Sequence, residues 1–147
     1  MFGDYLAGFF DGEGSLIIRI RKDNRYKTGY QVELKVNITQ KNEEVLKLIQ
    51  KRFGFGKIYF HRRDKLWHYN VYRRAEIKKF ISAIRGRVIV KKKRLGEFEK
   101  CLDIIDSKKH LTKKGVRAIM GIWGVPETEV NSGWPTYAGM LGGQNGA

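Results

Sequence analysis

Cysteine is nearly absent. Cys101 stands alone, which excludes an intrachain disulfide and a cysteine-rich zinc site within these 147 residues and fits a reducing compartment, whether cytoplasmic, organellar or nucleoid. Long apolar runs are missing too. No stretch approaches the roughly 18 apolar residues that span a bilayer, and no secretory leader pattern opens the chain, so no membrane partner is expected. Acidic residues are scarce, 15 against 30 lysines and arginines, for a net charge of +15 and a pI near 10.0. That excess points to a polyanion, and without a membrane signal the polyanion is nucleic acid. Proline does not occur before Pro126. From there glycine, proline, asparagine and serine accumulate, so residues 1–125 are expected to form one domain and 126–147 a loosely docked or disordered tail, with Trp134 and Tyr137 as its anchors.

What the chain does hold is alternation. Residues 15–22 read as a strand, with Leu16, Ile18 and Ile20 toward a core and Arg19 and Arg21 opposite. Residues 23–29 form a polar turn. Val32, Leu34, Val36 and Ile38 then alternate strictly with Gln31, Glu33, Lys35, Asn37 and Thr39, giving a strand with one apolar and one polar face. Asn42 caps a helix with Glu43 and Glu44 in its first turn and Val45, Leu48, Ile49 and Phe53 as its stripe. Two more strands, 57–63 and 67–73, flank a turn at Asp64-Lys65. In the first, Ile58 and Phe60 oppose Lys57, Tyr59, His61 and Arg63; in the second, Trp67, Tyr69 and Val71 oppose His68, Asn70 and Tyr72. A helix from Ala75 carries Ile77, Phe80, Ile81 and Ile84, a later one carries Leu95, Phe98, Leu102 and Ile105, and a last is predicted near 114–123. Two β-hairpins, each followed by a helix, make an α+β fold: a four-stranded antiparallel sheet with helices packed on one face.

The polar sheet face gathers Arg19, Arg21, Gln31, Glu33, Lys35, Asn37, Thr39, Lys57, Tyr59, His61, Arg63, His68, Asn70 and Tyr72. An ordinary solvated face would mix signs; here one acid stands among basic and amide side chains of the kinds that read guanine and adenine edges. Base readout of double-stranded DNA is therefore expected. His61 and His68 on paired strands raise a metal site, but the pattern offers no third ligand, so both are assigned to the DNA face.

The first eleven residues after Gly3 organise the rest. Asp4 is placed as N-cap, Leu6, Ala7, Phe9 and Phe10 form an apolar run, and Gly14 is expected to stop the helix in the left-handed conformation. Gly8 and Gly12 sit four apart on one face and each costs about 1 kcal/mol relative to alanine, which implies close approach of another backbone. Asp11 and Glu13 occupy the last turn, where the helix dipole disfavours carboxylates. If the glycines pack on a second copy, two Glu13 carboxylates converge, an oxygen-ligand set suited to a divalent cation.

Leu6 to Gly14, LAGFFDGEG, resembles the signature of the LAGLIDADG homing endonucleases, and the order of hairpins and helices resembles the single-motif form of that fold. The resemblance implies a homodimer paired through Leu6, Ala7, Gly8, Phe9 and Gly12, and a metal, Mg²⁺, held by Glu13 and the Gly12 carbonyl. It implies catalytic roles for Glu13, for Gln40, which orders water, and for Lys91, which polarises phosphate, with Lys92 and Lys93 as competing choices. Glu44 departs from the basic residue of some relatives, a role open to Arg94. The implied function is an intron-encoded endonuclease that cuts a long pseudo-palindromic duplex to leave 3′ overhangs. Two alternatives keep the basic sheet: an RNA-binding splicing maturase and a cleavage-dead DNA-binding regulator.

Overall fold

A computed structural model describes residues 1–126 and residue 130, so the tail with Trp134 and Tyr137 lies outside the described residues. The elements are α1 (Phe2–Glu13), β1 (Gly14–Lys22), β2 (Tyr30–Gln40), α2 (Glu43–Phe53), β3 (Lys57–His61), β4 (Leu66–Val71), α3 (Arg74–Ile84), α4 (Lys92–Asp106) and α5 (Lys113–Trp123), with a 3-10 turn at Lys109–Leu111. The four strands form one antiparallel sheet in the order β1-β2-β4-β3. The α+β architecture is as the alternation predicts. Among the described residues no helix is long and apolar enough to cross a membrane.

The chain divides into two compact units. The first joins residues 1–16 to 34–92. Its core is an aromatic cluster around Phe80, whose ring meets Phe10 at 5.4 Å, Phe53 at 5.2 Å and Tyr69 at 6.5 Å between centroids. Leu6, Val36, Ile38, Leu46, Ile49, Val71, Ile77, Ile81 and Ile84 complete it, all fully buried. Helix α1 packs on α3, and α2 on β3 and β4. Asn42 caps α2 by accepting the Glu44 amide hydrogen bond at 2.8 Å, and Gly54 ends it at a left-handed φ of 82°. The second unit joins residues 17–33 to the described residues from 93 onward. There Leu95, Phe98, Cys101 and Ile105 of α4 and Val116, Ile119 and Trp123 of α5 are buried, with Phe98 edge-on to Trp123. Burial pushes the Cys101 thiol up to about 11, so the lone cysteine is inert packing.

Several local expectations are corrected. Met1, not Asp4, is the N-cap of α1, and Asp4 sits in the first turn, where it accepts a hydrogen bond from Arg87 at 2.7 Å. Gly14 is extended (φ −93°), because β1 begins directly at the helix end; a Cβ there would overlap the Phe10 ring. In α2 the core position is Leu46, while Leu48 is 55% exposed, since the helix turns its Leu46–Ile49 face to the sheet. Strands β3 and β4 are shorter than predicted. Arg63 therefore lies in the turn and Tyr72 just beyond β4, with Lys65 taking a left-handed φ of 58°.

Candidate active site and nucleic-acid face

Glu13 ends α1 with an exposed carboxylate that meets no hydrogen-bond or ion-pair partner among the described residues. The end of the helix around it is built by Asp11. Its carboxylate accepts the Ile89 amide at 2.7 Å and the Lys91 amide at 3.0 Å, which folds the segment before α4 onto the helix terminus. Lys91 then donates from Nζ to the Asp11 carbonyl at 2.8 Å. The last turn of α1 holds no basic residue of its own, so Lys91 supplies from another segment the cation that a helix C-terminus favours. Desolvation pushes the Asp11 carboxyl up, but the amides of Ile89, Lys91 and Val90 and the Lys91 charge outweigh it and hold it below the ordinary value. The pattern gives Asp11 no role; the structure makes it the clamp that carries Lys91 to the motif helix. The clamp also leaves Ile89 and Val90 projecting, 82% and 77% exposed.

Gln40 sits at the end of β2, opposite Trp67, and its Oε1 accepts the Lys41 amide at 2.8 Å. Among the described residues no hydrogen bond joins it to Glu13 or Lys91. Glu44 is a first-turn residue of α2, the setting a helix N-terminus favours for an acid. Arg94 is committed elsewhere. Its guanidinium stacks 3.2 Å from the Trp123 ring centroid and hydrogen-bonds the Trp123 carbonyl at 3.2 Å.

On α1, the expected pairing face divides. Leu6 and Ala7 are buried in the protomer's own core, which removes them from any exposed interface. Gly8 and Gly12 are exposed, and a Cβ at either would meet nothing within 4 Å among the described residues. Phe9 is half-buried beneath a stacked Tyr5, ring centroids 6.1 Å apart.

The polar face is less uniformly available than its pattern implies. In the first unit, Lys57, Tyr59 and Tyr72 are exposed and Lys35, Thr39, His61 and His68 half-buried, but Asn37 and Asn70 are buried. These two are register partners, and the Asn37 side chain donates to Asn70 Oδ1 at 2.6 Å and lies 3.1 Å from His68 Nδ1. They are spent on one another and not presented to a ligand. In the second unit Arg21 and Glu33 form an ion pair at 2.5 Å and so neutralise each other, leaving Arg19 exposed and Gln31 half-buried. The expectation of no third ligand beside the histidines also fails. Asp64 Oδ2 lies 2.7 Å from His68 Nε2 and Asp64 Oδ1 3.4 Å from His61 Nδ1. Its signal was present as the one acid between the two histidines, but only the hairpin geometry brings the three together.

The sequence profile described as LAGLIDADG endonuclease matches residues 6–105. A protein of Neurospora crassa named as a probable intron-encoded endonuclease is 26% identical over 121 residues, covering 79% of this chain and 23% of its own length. The chain spans between 23% and 25% of the length of the curated relatives it matches. Among solved structures, the homing endonuclease I-TnaI is similar at a TM-score of 0.73 and 28% identity, over 90% of this chain and 89% of its own. I-SmaMI, bound to an uncleaved DNA target in the presence of calcium ions, is similar at a TM-score of 0.72 and 28% identity, over 82% of this chain and 42% of its own. With its motif on α1, a hairpin–helix order that matches and a profile match across most of its length, this chain belongs to the LAGLIDADG endonuclease family.

Proposed function

We propose that the chain is an intron-encoded, site-specific endonuclease that hydrolyses both strands of a long pseudo-palindromic DNA duplex to leave 3′ overhangs, acting with Mg²⁺ as a homodimer. The observation that carries this reading is the helix end itself: a free, exposed carboxylate at Glu13, two residues after a carbonyl that holds a lysine ammonium. The donor set fits a hard cation. Glu13 offers an unengaged carboxylate, and the helix terminus supplies main-chain oxygens, of which that of Phe10 takes the Gly14 amide and that of Asp11 takes Lys91, with Gly12 next in line. When bound, the metal supplies Lewis-acid polarisation of the phosphate and stabilises the departing oxygen. Lys91, fixed by the Asp11 carbonyl, brings positive charge to the same end, where charge develops on the phosphate oxygens. Gln40 has spent its oxygen on Lys41, so its amide nitrogen is the group left to orient a solvent molecule or phosphate oxygen. Arg19, Gln31, Lys35, Thr39, Lys57, Tyr59, His61, Arg63, His68 and Tyr72 would meet the duplex, and of these Arg19 and Lys57 are exposed cations on strands. Gly8 and Gly12, which nothing among the described residues requires to be glycine, would let α1 pack on its copy.

The test is a cleavage selection on a randomised duplex library with Mg²⁺, run beside Glu13→Gln. Reproducible double-strand cuts with 3′ overhangs, lost in the mutant while DNA binding persists, are expected. Cutting at the wild-type rate by Glu13→Gln would remove the assigned role, and tight binding without cuts would favour the splicing or regulatory alternatives.

A further inference from the structure

We propose that His61, Asp64 and His68 form a zinc-type transition-metal site at the β3–β4 hairpin, distinct from the cation expected at Glu13. One donor atom from each lies within 4.8 Å of the others. A tetrahedral zinc with bonds of about 2.0–2.1 Å keeps its ligand atoms roughly 3.4 Å apart, so the cluster closes on an ion once the side chains shift and His61 Nδ1 gives up the Asp64 amide, which it accepts at 3.3 Å. Two imidazoles and one carboxylate are a borderline set that selects zinc-like metals over Mg²⁺ or Ca²⁺, and three protein ligands leave a fourth position open.

The backbone holds the donors for this geometry. Asp64 Oδ1 accepts the Leu66 amide at 2.9 Å, the Lys65 amide closes the turn on the His61 carbonyl at 2.8 Å, and the His68 ring is stacked on Tyr59, centroids 5.2 Å apart. The shell behind His68 is the second observation. Asn37 Nδ2 lies 3.1 Å from His68 Nδ1 and donates to Asn70 Oδ1, while the Nδ2 of Asn70, a fully buried residue, has no partner among the described residues. A half-turn of both amides presents Asn37 Oδ1 to a proton on His68 Nδ1 and gives Asn70 Nδ2 an acceptor. That arrangement frees the His68 Nε2 lone pair toward Asp64, and an N–H held from behind is what orients a metal-ligating histidine. The ion would tie the turn to the sheet and place a cation with an open coordination position on the polar face.

The test uses the full chain after chelator treatment, titrated with zinc chloride by calorimetry and with cobalt chloride by visible spectroscopy. We expect one zinc per chain at micromolar or tighter affinity, with cobalt showing the intense visible bands of a four-coordinate ion. His61→Ala, His68→Ala and Asp64→Asn should each weaken binding at least about tenfold. His110→Ala, Cys101→Ser and Glu13→Gln should leave it unchanged. The absence of saturable uptake, uptake that survives loss of both His61 and His68, or uptake lost in Glu13→Gln would each overturn the site; the last would assign the metal to the helix end. None of these readouts depends on DNA cleavage.

Discussion

Gly14 carries no side chain because the Phe10 ring occupies the space a Cβ would need. Its backbone is extended, so conformational freedom is not the reason for glycine there. Gly14→Ala should therefore act as an overpacked core, costing about 1–3 kcal/mol, and a urea titration should show a lowered midpoint. That residue marks a limit of what the sequence discloses. Alternation assigns Leu16, Ile18, Val36, Ile38 and Tyr69 to the core correctly, since parity along a strand is a local property. The burial of Asn37 and Asn70 is not local. Their parity places them on the polar face, and only register, which sets them opposite one another, turns two apparent base readers into an internal hydrogen-bonded pair.

At the scale of the element, α1 combines an inner face legible from its apolar run with an end that is not legible at all. Glu13 and its motif can be read from the string; the partnership of Asp11 with residues 78 to 80 positions away cannot, because loop placement follows from the packing of α3 and not from local pattern. Asp11→Ala should cost about 1–2 kcal/mol by leaving the Ile89 and Lys91 amides without their acceptors, and should release Lys91 as well. The pH dependence follows in sign. The folded carboxyl lies below its ordinary 3.8, so its contribution is present above that value and disappears as pH falls through the lower folded one. The stability gap between wild type and Asp11→Ala, followed by chemical denaturation, should therefore shrink in acid. On the outer face, Gly8→Ala adds a methyl that meets nothing among the described residues, which should stabilise an isolated chain by about 1 kcal/mol. If α1 pairs with its copy, the same methyl separates the helices and light scattering should report a smaller species. A gain in stability with unchanged mass would place the interface elsewhere.

The whole molecule is dominated by its charge of +15. Binding that neutralises six to ten phosphates should weaken about a thousandfold or more between roughly 50 and 200 mM salt, a dependence readable by filter binding. Arg19→Ala should lower affinity while keeping most of that slope, whereas a metal-induced step in affinity would be separate from it. The fold at this scale was legible, since hairpin and helix order survive errors of several residues at element ends. Of the helix end, the string shows the motif and its terminal acid at Glu13, which the structure leaves exposed. Where a role is shared between segments, as in the Asp11 clamp, the sequence shows the parts and not their assembly.

The clamp grips main-chain amides and not side chains. Residues 89 and 90 can therefore drift in identity while Asp11 keeps its hold on the segment that delivers Lys91. A lineage that loses Asp11 should keep its lysine in the sequence and lose its address, so the presence of the basic run is a poor guide to whether Lys91 reaches the helix end and the first acid of the motif a better one.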